Sequence, residues 1–188
     1  MTPKPLANLS KTIVLVGLMG AGKTCIGKRL AERLDLPFVD ADTEIEQAAG
    51  CSIPDIFELY GEAEFREGER RVIARLLKGP IQVLATGGGA FLDLSTRQEI
   101  LSRSISIWLR ADLNLLISRT SRRNNRPLLK TGKRHDILKR LIEERHPIYA
   151  KADVVIDSAH EAPDITIDRT IKTLKNHIDK LAGAETSP

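Results

Sequence analysis

Short apolar runs alternate along this chain with longer stretches in which apolar residues return every three or four positions. The short runs are TIVLVGL (12–18), PFVDAD (37–42), IQVLAT (81–86), SISIWLR (104–110) and DVVIDS (153–158). Several are almost continuously apolar, which is how a strand reads when helices cover both faces of its sheet. Between them the spacing is helical. Ile26, Leu30 and Leu34 recur at i, i+4 and i+8. Residues 62–77 carry Phe65, Val72, Ile73, Leu76 and Leu77, and Asp112 is placed to cap LNLLISRTS. Ile137, Leu138, Leu141 and Ile142 predict a further helix, interrupted at Pro147, and residues 164–182 a last amphipathic one. Alternating strands and helices predict an α/β fold built on a five-stranded parallel sheet with flanking helices.

One segment breaks the pattern. RRNNRPLLKTG (122–132) has no periodicity and carries Asn, Pro and Gly, which predicts a mobile excursion. About eleven residues at the start and five at the end carry no structural signal and are expected to be flexible. There is no internal repeat, and 188 residues suit one domain with one sizeable core.

Composition narrows the function. No apolar run approaches the roughly 18 residues of a membrane span, and MTPKPLANLSK has no apolar core of the signal-peptide kind. A cytoplasmic protein with no membrane partner is therefore expected. Cys25 and Cys51 stand in no CxxC spacing, so neither a disulfide framework nor a zinc site is implied, and both read as buried or neutral fillers. The net charge is +4 and the pI about 9.2. That raises nucleic-acid binding. The basic residues are dispersed, however, and aromatics make up only 4%, too few for stacking platforms. A slightly basic enzyme that handles anions fits better.

The candidate chemistry begins at GLMGAGKT (17–24), which matches G-x-x-x-x-G-K-[ST]. A strand precedes it and a helix follows. Glycine lets backbone N–H groups turn inward around phosphate oxygens, and the helix N-terminus adds its positive end. Gly17, Gly20, Ala21, Gly22, Lys23, Thr24 and Cys25 form the candidate cradle. Lys23 supplies a point charge, and the Thr24 hydroxyl is a Mg²⁺ ligand.

Three further clusters bear on the acceptor. In VDAD, Asp40 and Asp42 are two apart, so in a strand both face one way. At a strand's C-terminal end they lie where open α/β sheets bind ligands; Asp42 also suits a helix cap. In TGGGA, Gly87, Gly88 and Gly89 allow a ligand close to the backbone, or simply make a tight turn. Arg66, Arg145 and Arg126 are either solvated surface residues or planar forks for carboxylate and phosphate.

The segments GLMGAGKT, FVDADTEIE, SIPDIF, GEAEFRE, TGGGA, RPLL and ERHPIYAKAD, in this order over about residues 13–157, make the chain resemble shikimate kinase. The resemblance implies a nucleoside-monophosphate-kinase-like fold with a mobile lid over about 122–132. It implies ATP-dependent phosphorylation of a shikimate ring hydroxyl to shikimate 3-phosphate, in aromatic amino-acid biosynthesis, by a monomer. It places the substrate-binding aspartate on Asp42, the carboxylate-binding arginines on Arg66 and Arg145, and the glycine triplet on Gly87, Gly88 and Gly89. It puts the lid arginine that reaches the transferring phosphate on Arg126, the adenine-stacking arginine on Arg119, and a carboxylate near the magnesium shell on Asp40. The lid, RTSRRNNRPLL, is more basic than the family pattern leads one to expect. A gluconate-type sugar-acid kinase shares the phosphate loop and a carboxylate substrate, but is not expected to carry all the acceptor segments. A nucleic-acid-dependent ATPase would need an acidic strand end of the hhhhDE kind, which is absent. Intact Lys23, Thr24, Asp42 and Arg126 argue against a silent binding module.

Overall fold

The computed structural model describes Leu6 and residues 9–121 and 133–185. Five strands, β1 (Thr12–Val16), β2 (Phe38–Asp40), β3 (Val83–Ala85), β4 (Ser104–Ala111) and β5 (Val154–Ser158), form one parallel sheet in the order β2-β3-β1-β4-β5. β1 lies at its centre, with Ile13 opposite Val83 on one side and Ile105 on the other. Every residue of β1 is buried, which accounts for its unbroken apolar run. The chain starts at β1, builds β2 and β3 on one side of it, and then crosses to build β4 and β5 on the other. The crevice at such a reversal, outside the strands' C-terminal ends, is where these sheets bind ligands.

Helices α1 (Lys23–Leu34), α2 (Ala41–Ala49), α3 (Ile53–Leu76), α4 (Leu94–Arg103), α5 (Leu113–Ser121), α6 (Arg134–Tyr149) and α7 (Pro163–Glu185) flank the sheet. α1 turns Ile26, Leu30 and Leu34 inward, as their spacing predicts. Gly27 lies on the same face, because the ring of Phe38 occupies the space a side chain would need. The main core runs across the sheet. A second, smaller cluster of Ile45, Ile56, Phe65 and Val72 joins α2 to α3.

Several boundaries differ from expectation. β2 stops at Asp40 and α2 begins at once, so Asp40 and Asp42 do not share a strand face. α3 begins at Ile53 rather than 62. Ser52 and Asp55 form a capping box ahead of Pro54, and the helix bends at Gly61 (φ 80°, ψ 175°). α4, with too few apolar residues for a clear period, was not predicted. Pro147 does not interrupt α6, which runs on to Tyr149. Proline removes one helical bond, but the last turn still closes through the Ala150 N–H on the His146 carbonyl (2.9 Å), and Tyr149 is fully buried. α7 reaches Glu185, into the tail expected to fray. Cys25 is exposed and Cys51 half-buried, so Cys25 is no core filler. No described helix is long and apolar enough to cross a membrane. The excursion at 122–132 lies outside the described residues, as does most of the N-terminal stretch.

The packing at Gly27 sets two effects against each other. Alanine favours a helix interior by about 0.8–1.0 kcal/mol over glycine. Its Cβ would lie 2.6 Å from the Phe38 ring and 3.0 Å from a fully buried Leu15 methyl, and overpacking costs about 1–3 kcal/mol. The clash is expected to win. The net cost of up to about 2 kcal/mol means that Gly27→Ala should lower the Tm by up to roughly 8 °C, at about 2–4 °C per kcal/mol. A Tm at or above the parent's in a thermal melt would contradict this account.

Candidate active site

The turn from β1 into α1 requires glycine. Gly17, Gly20 and Gly22 have φ of 135°, 84° and 100°. A Cβ on Gly17 would also fall 2.7 Å from the Leu109 carbonyl of β4. α1 starts with Gly22 as its cap, which supplies no side-chain bond, and no acidic residue stands in the first turn. The first N–H groups of the helix thus face the crevice with an anion-binding dipole behind them. Lys23 Nζ donates to the carbonyls of Gly17 (2.7 Å) and Leu18 (3.1 Å).

Asp40 ties this loop to the acceptor side. Its Oδ1 accepts from the Asp42 N–H (3.1 Å), capping α2, and its Oδ2 accepts from Thr24 Oγ1 (2.9 Å). A hydroxyl and a carboxylate meeting beside a phosphate cradle are the hard oxygen donors that Mg²⁺ takes, so these residues fit the ion. Arg119 reaches from α5 to the carbonyl of Ala21 (3.0 Å), Ser158 Oγ (2.9 Å) and the carbonyl of Ala159 (3.1 Å). These in-plane bonds leave the faces of its guanidinium available for stacking.

Across the cleft lie Asp42, Arg66, Gly87–Gly89 and Arg145. Arg66 crosses Gly89 so closely that a Cβ there would sit 2.6 Å from the guanidinium carbon; the glycine is needed for this approach. Arg66 pairs with Glu69 (2.8 Å) and Glu62 (3.3 Å). Glu69 is 2% exposed, and its Oε1 is buried without a partner among the described residues. A Cβ on Gly87 would meet both that oxygen and Asp42 Oδ1 at 2.9 Å. Burial pushes the Glu69 carboxyl above the ordinary range, Arg66 pulls it back, and Asp42 pushes it further up. Arg145 stands on α6 one turn before Tyr149, whose hydroxyl donates to the Gly88 carbonyl.

One cleft of about 820 Å³ is lined by Lys23, Thr24, Asp42, Arg66, Gly88 and Arg145 together. A phosphate cradle and a binding surface for a hydroxylated anion therefore open into the same space, and Arg119 and Cys25 also border it. Arg126 lies outside the described residues.

The shikimate kinase family model matches residues 19–175. A shikimate kinase of Paramagnetospirillum magneticum is 55% identical over 179 residues, covering 95% of this chain and 92% of the relative. One of Bradyrhizobium diazoefficiens is 53% identical, covering 90% and 82%. The chain belongs to the shikimate kinase family. The solved structure of the family member from Acinetobacter baumannii, in complex with shikimate, superposes with a TM-score of 0.85 at 39% identity, covering 92% of this chain and 97% of that one. The sheet order, flanking helices and phosphotransferase class follow this family, as does its place in the shikimate pathway of aromatic amino-acid biosynthesis, with ATP the donor that a kinase implies.

Most of the residues named from the sequence in the cradle, with Asp42 and the two arginines, border one cleft; Glu69 and Tyr149 were not named. Glu69 stands three residues after Arg66 in a charged run, where it looks like half of a solvated helix pair; only its burial distinguishes it.

That burial has a consequence for stability. Glu69 holds its proton more tightly folded than unfolded, so its contribution is complete below the unfolded carboxyl pKa and is lost as pH rises to the higher folded value. The parent should therefore lose ground to Glu69→Gln as pH rises from about 4 to 7. Denaturant melts of both proteins across that range would measure it. A constant or growing parental advantage would show that the Arg66 pair outweighs burial.

Proposed function

We propose that this chain transfers the γ-phosphoryl group of ATP to a ring hydroxyl of shikimate, forming shikimate 3-phosphate and ADP. It acts as a single P-loop kinase domain, a cytoplasmic monomer. The observation that carries the reading is the shared cleft: one chain supplies both the phosphate cradle and the acidic and basic groups suited to a hydroxylated carboxylate.

In this reading the N–H groups of the loop from Gly17 to Cys25 take the phosphate oxygens, and Lys23 moves from the loop carbonyls onto them. Thr24 and Asp40 hold Mg²⁺, which supplies charge neutralisation at the phosphates. Arg119 stacks on the adenine. Asp42 accepts the hydrogen bond of the reacting hydroxyl and orients it, while Arg66 and Arg145 grip the carboxylate over the Gly87–Gly89 turn. Arg126 meets the transferring group from the segment 122–132. Phosphoryl transfer has a loose transition state, so positioning and charge account for most of the rate.

ATP consumption measured with shikimate, gluconate or single-stranded DNA tests the reading directly. Turnover with shikimate alone is expected; turnover with gluconate at a comparable rate would favour a sugar-acid kinase. The two arginines should not contribute equally, because Arg66 already pairs with two carboxylates, Glu62 and Glu69. Arg145→Lys keeps the charge but loses the fork. It should raise the shikimate KM roughly ten- to hundredfold, the worth of a charged hydrogen bond, with a smaller rise for Arg66→Lys and little change in the KM for ATP. Equal acceptor KM in parent and both variants would return these arginines to the surface. Asp42→Asn separates orientation from proton transfer. If Asp42 orients only, turnover persists with a raised acceptor KM; as a base it is worth about 10²–10⁴ in kcat. Steady-state kinetics at saturating shikimate distinguish the two.

A further inference from the structure

Arg97, in the first turn of α4, is only 9% exposed. A cation taken out of water needs a counter-charge or good hydrogen bonds. No carboxylate pairs with it among the described residues. Asp93, one turn earlier, is engaged elsewhere: it caps α4 by accepting from the Thr96 N–H (2.8 Å) and hydroxyl (2.9 Å). The Arg97 guanidinium instead donates from Nη1 to the carbonyls of Phe91 (3.0 Å) and Leu92 (3.1 Å). Those carbonyls end a short 3₁₀ turn, Ala90–Leu92, that follows directly on Gly87–Gly89.

This turn passes the bond on. A trans peptide unit is planar, and its C=O and N–H point opposite ways. The unit whose carbonyl Arg97 holds, Phe91–Leu92, gives its Leu92 N–H to the Gly89 carbonyl (3.0 Å). The unit of that carbonyl, Gly89–Ala90, gives its Ala90 N–H to the Gly87 carbonyl (3.3 Å). The next N–H in the chain is that of Gly88. It has no partner among the described residues, and Gly88 borders the cleft. The Gly88 carbonyl is turned away, onto the Tyr149 hydroxyl. Hydrogen bonds in such a chain polarise one another, and a charged first donor makes the strongest bond.

We propose that Arg97 is a positioning residue for the acceptor: its buried charge, relayed through three peptide units, fixes and polarises the Gly88 N–H as a hydrogen-bond donor to an oxygen of the bound shikimate. The proposal rests on the reading above that the Gly87–Gly89 turn lines the acceptor. The absence of a carboxylate partner suits the task, because an acidic neighbour would cancel the charge at the head of the chain. Arg97 itself touches no substrate. It acts on the turn from behind, and its effect belongs to shikimate and not to ATP.

Arg97→Met keeps most of the side chain's volume and removes the charge and the donors. It should lower kcat/KM for shikimate roughly two- to tenfold, up to the worth of one hydrogen bond, and leave the KM for ATP within about twofold of the parent's. Arg97→Lys keeps a charged donor for the same carbonyls and should recover most of the loss. In amide NMR spectra of the free proteins, Arg97→Met should shift the Gly88 resonance while those of Gly20 and Gly22 stay in place. A role confined to stability would lower the Tm and leave kcat/KM for shikimate parental, which would overturn the proposal, as would an unmoved Gly88 amide. Should the Met variant not fold, Arg97→Gln, with a neutral donor, takes its place: losing the charge alone should move the Gly88 amide and lower the same constant, and parental values would overturn the proposal. No turnover of shikimate by the parent would remove the acceptor reading and the proposal together; a parental variant beside an active parent would remove the proposal alone.

Discussion

Both ligands of this site are anions, so its cations must be held in place without being neutralised. A carboxylate partner would fix a cation well, but it would also cancel the charge. Neutral oxygens meet two of the site's cations. Lys23 donates to the carbonyls of Gly17 and Leu18, and Arg119 to those of Ala21 and Ala159 and to a serine hydroxyl. Such partners orient the charge and leave it whole. In a partly closed cleft, where the effective dielectric falls well below that of water, a whole charge is worth several times its value on the surface. Arg66 is the exception, and its chief partner Glu69 is a carboxyl that burial already biases toward its neutral form.

This arrangement explains why the sheet matters. The Gly17, Leu18 and Ala21 carbonyls that meet Lys23 and Arg119 belong to one loop, and that loop is fixed by what lies behind it. Gly17 sits against the Leu109 carbonyl of β4 with no room for a side chain. Thr86, at the end of β3, donates both its N–H and its hydroxyl to the Leu15 carbonyl of β1. The donor and acceptor loops are thus set by adjacent strands, and their separation follows from the fixed spacing between strands. Asp40, at the end of β2, closes the arrangement by capping α2 with one oxygen and meeting Thr24 with the other.

Legibility in the sequence followed locality. The phosphate cradle lies within eight residues, and its glycines are needed for local backbone reasons, so it could be read directly. The central strands were legible because burial on both faces leaves an unbroken apolar run. Asp42, Arg66 and Arg145 were nameable only through the order of motifs, since a lone arginine on a helix reads as surface. Glu69 and Tyr149 stayed hidden for opposite reasons: one looks solvated among charges beside Arg66, and the other looks like plain core though its hydroxyl meets the distant Gly88 carbonyl. Boundaries failed where long-range packing overrode a local signal. Pro147 should end a helix, yet the burial of Tyr149 keeps the last turn closed. Asp40 and Asp42 looked like strand neighbours until the cap placed a helix between their directions.

The small cluster of Ile45, Ile56, Phe65 and Val72 joins α2 to α3 on both sides of the Gly61 bend, apart from the broad core beneath the phosphate loop. Free energies of opening differ between such units, and the one with less buried area opens first. The phosphate loop therefore stands on the larger core, and Asp42 and Arg66 on elements that pack into the smaller one. Substitutions around Asp42 and Arg66 draw on the smaller cluster, whereas those around Arg145 and the Gly87–Gly89 turn draw on the main core. The α2–α3 side of the cleft can therefore change shape without reaching into the sheet that carries the phosphate loop.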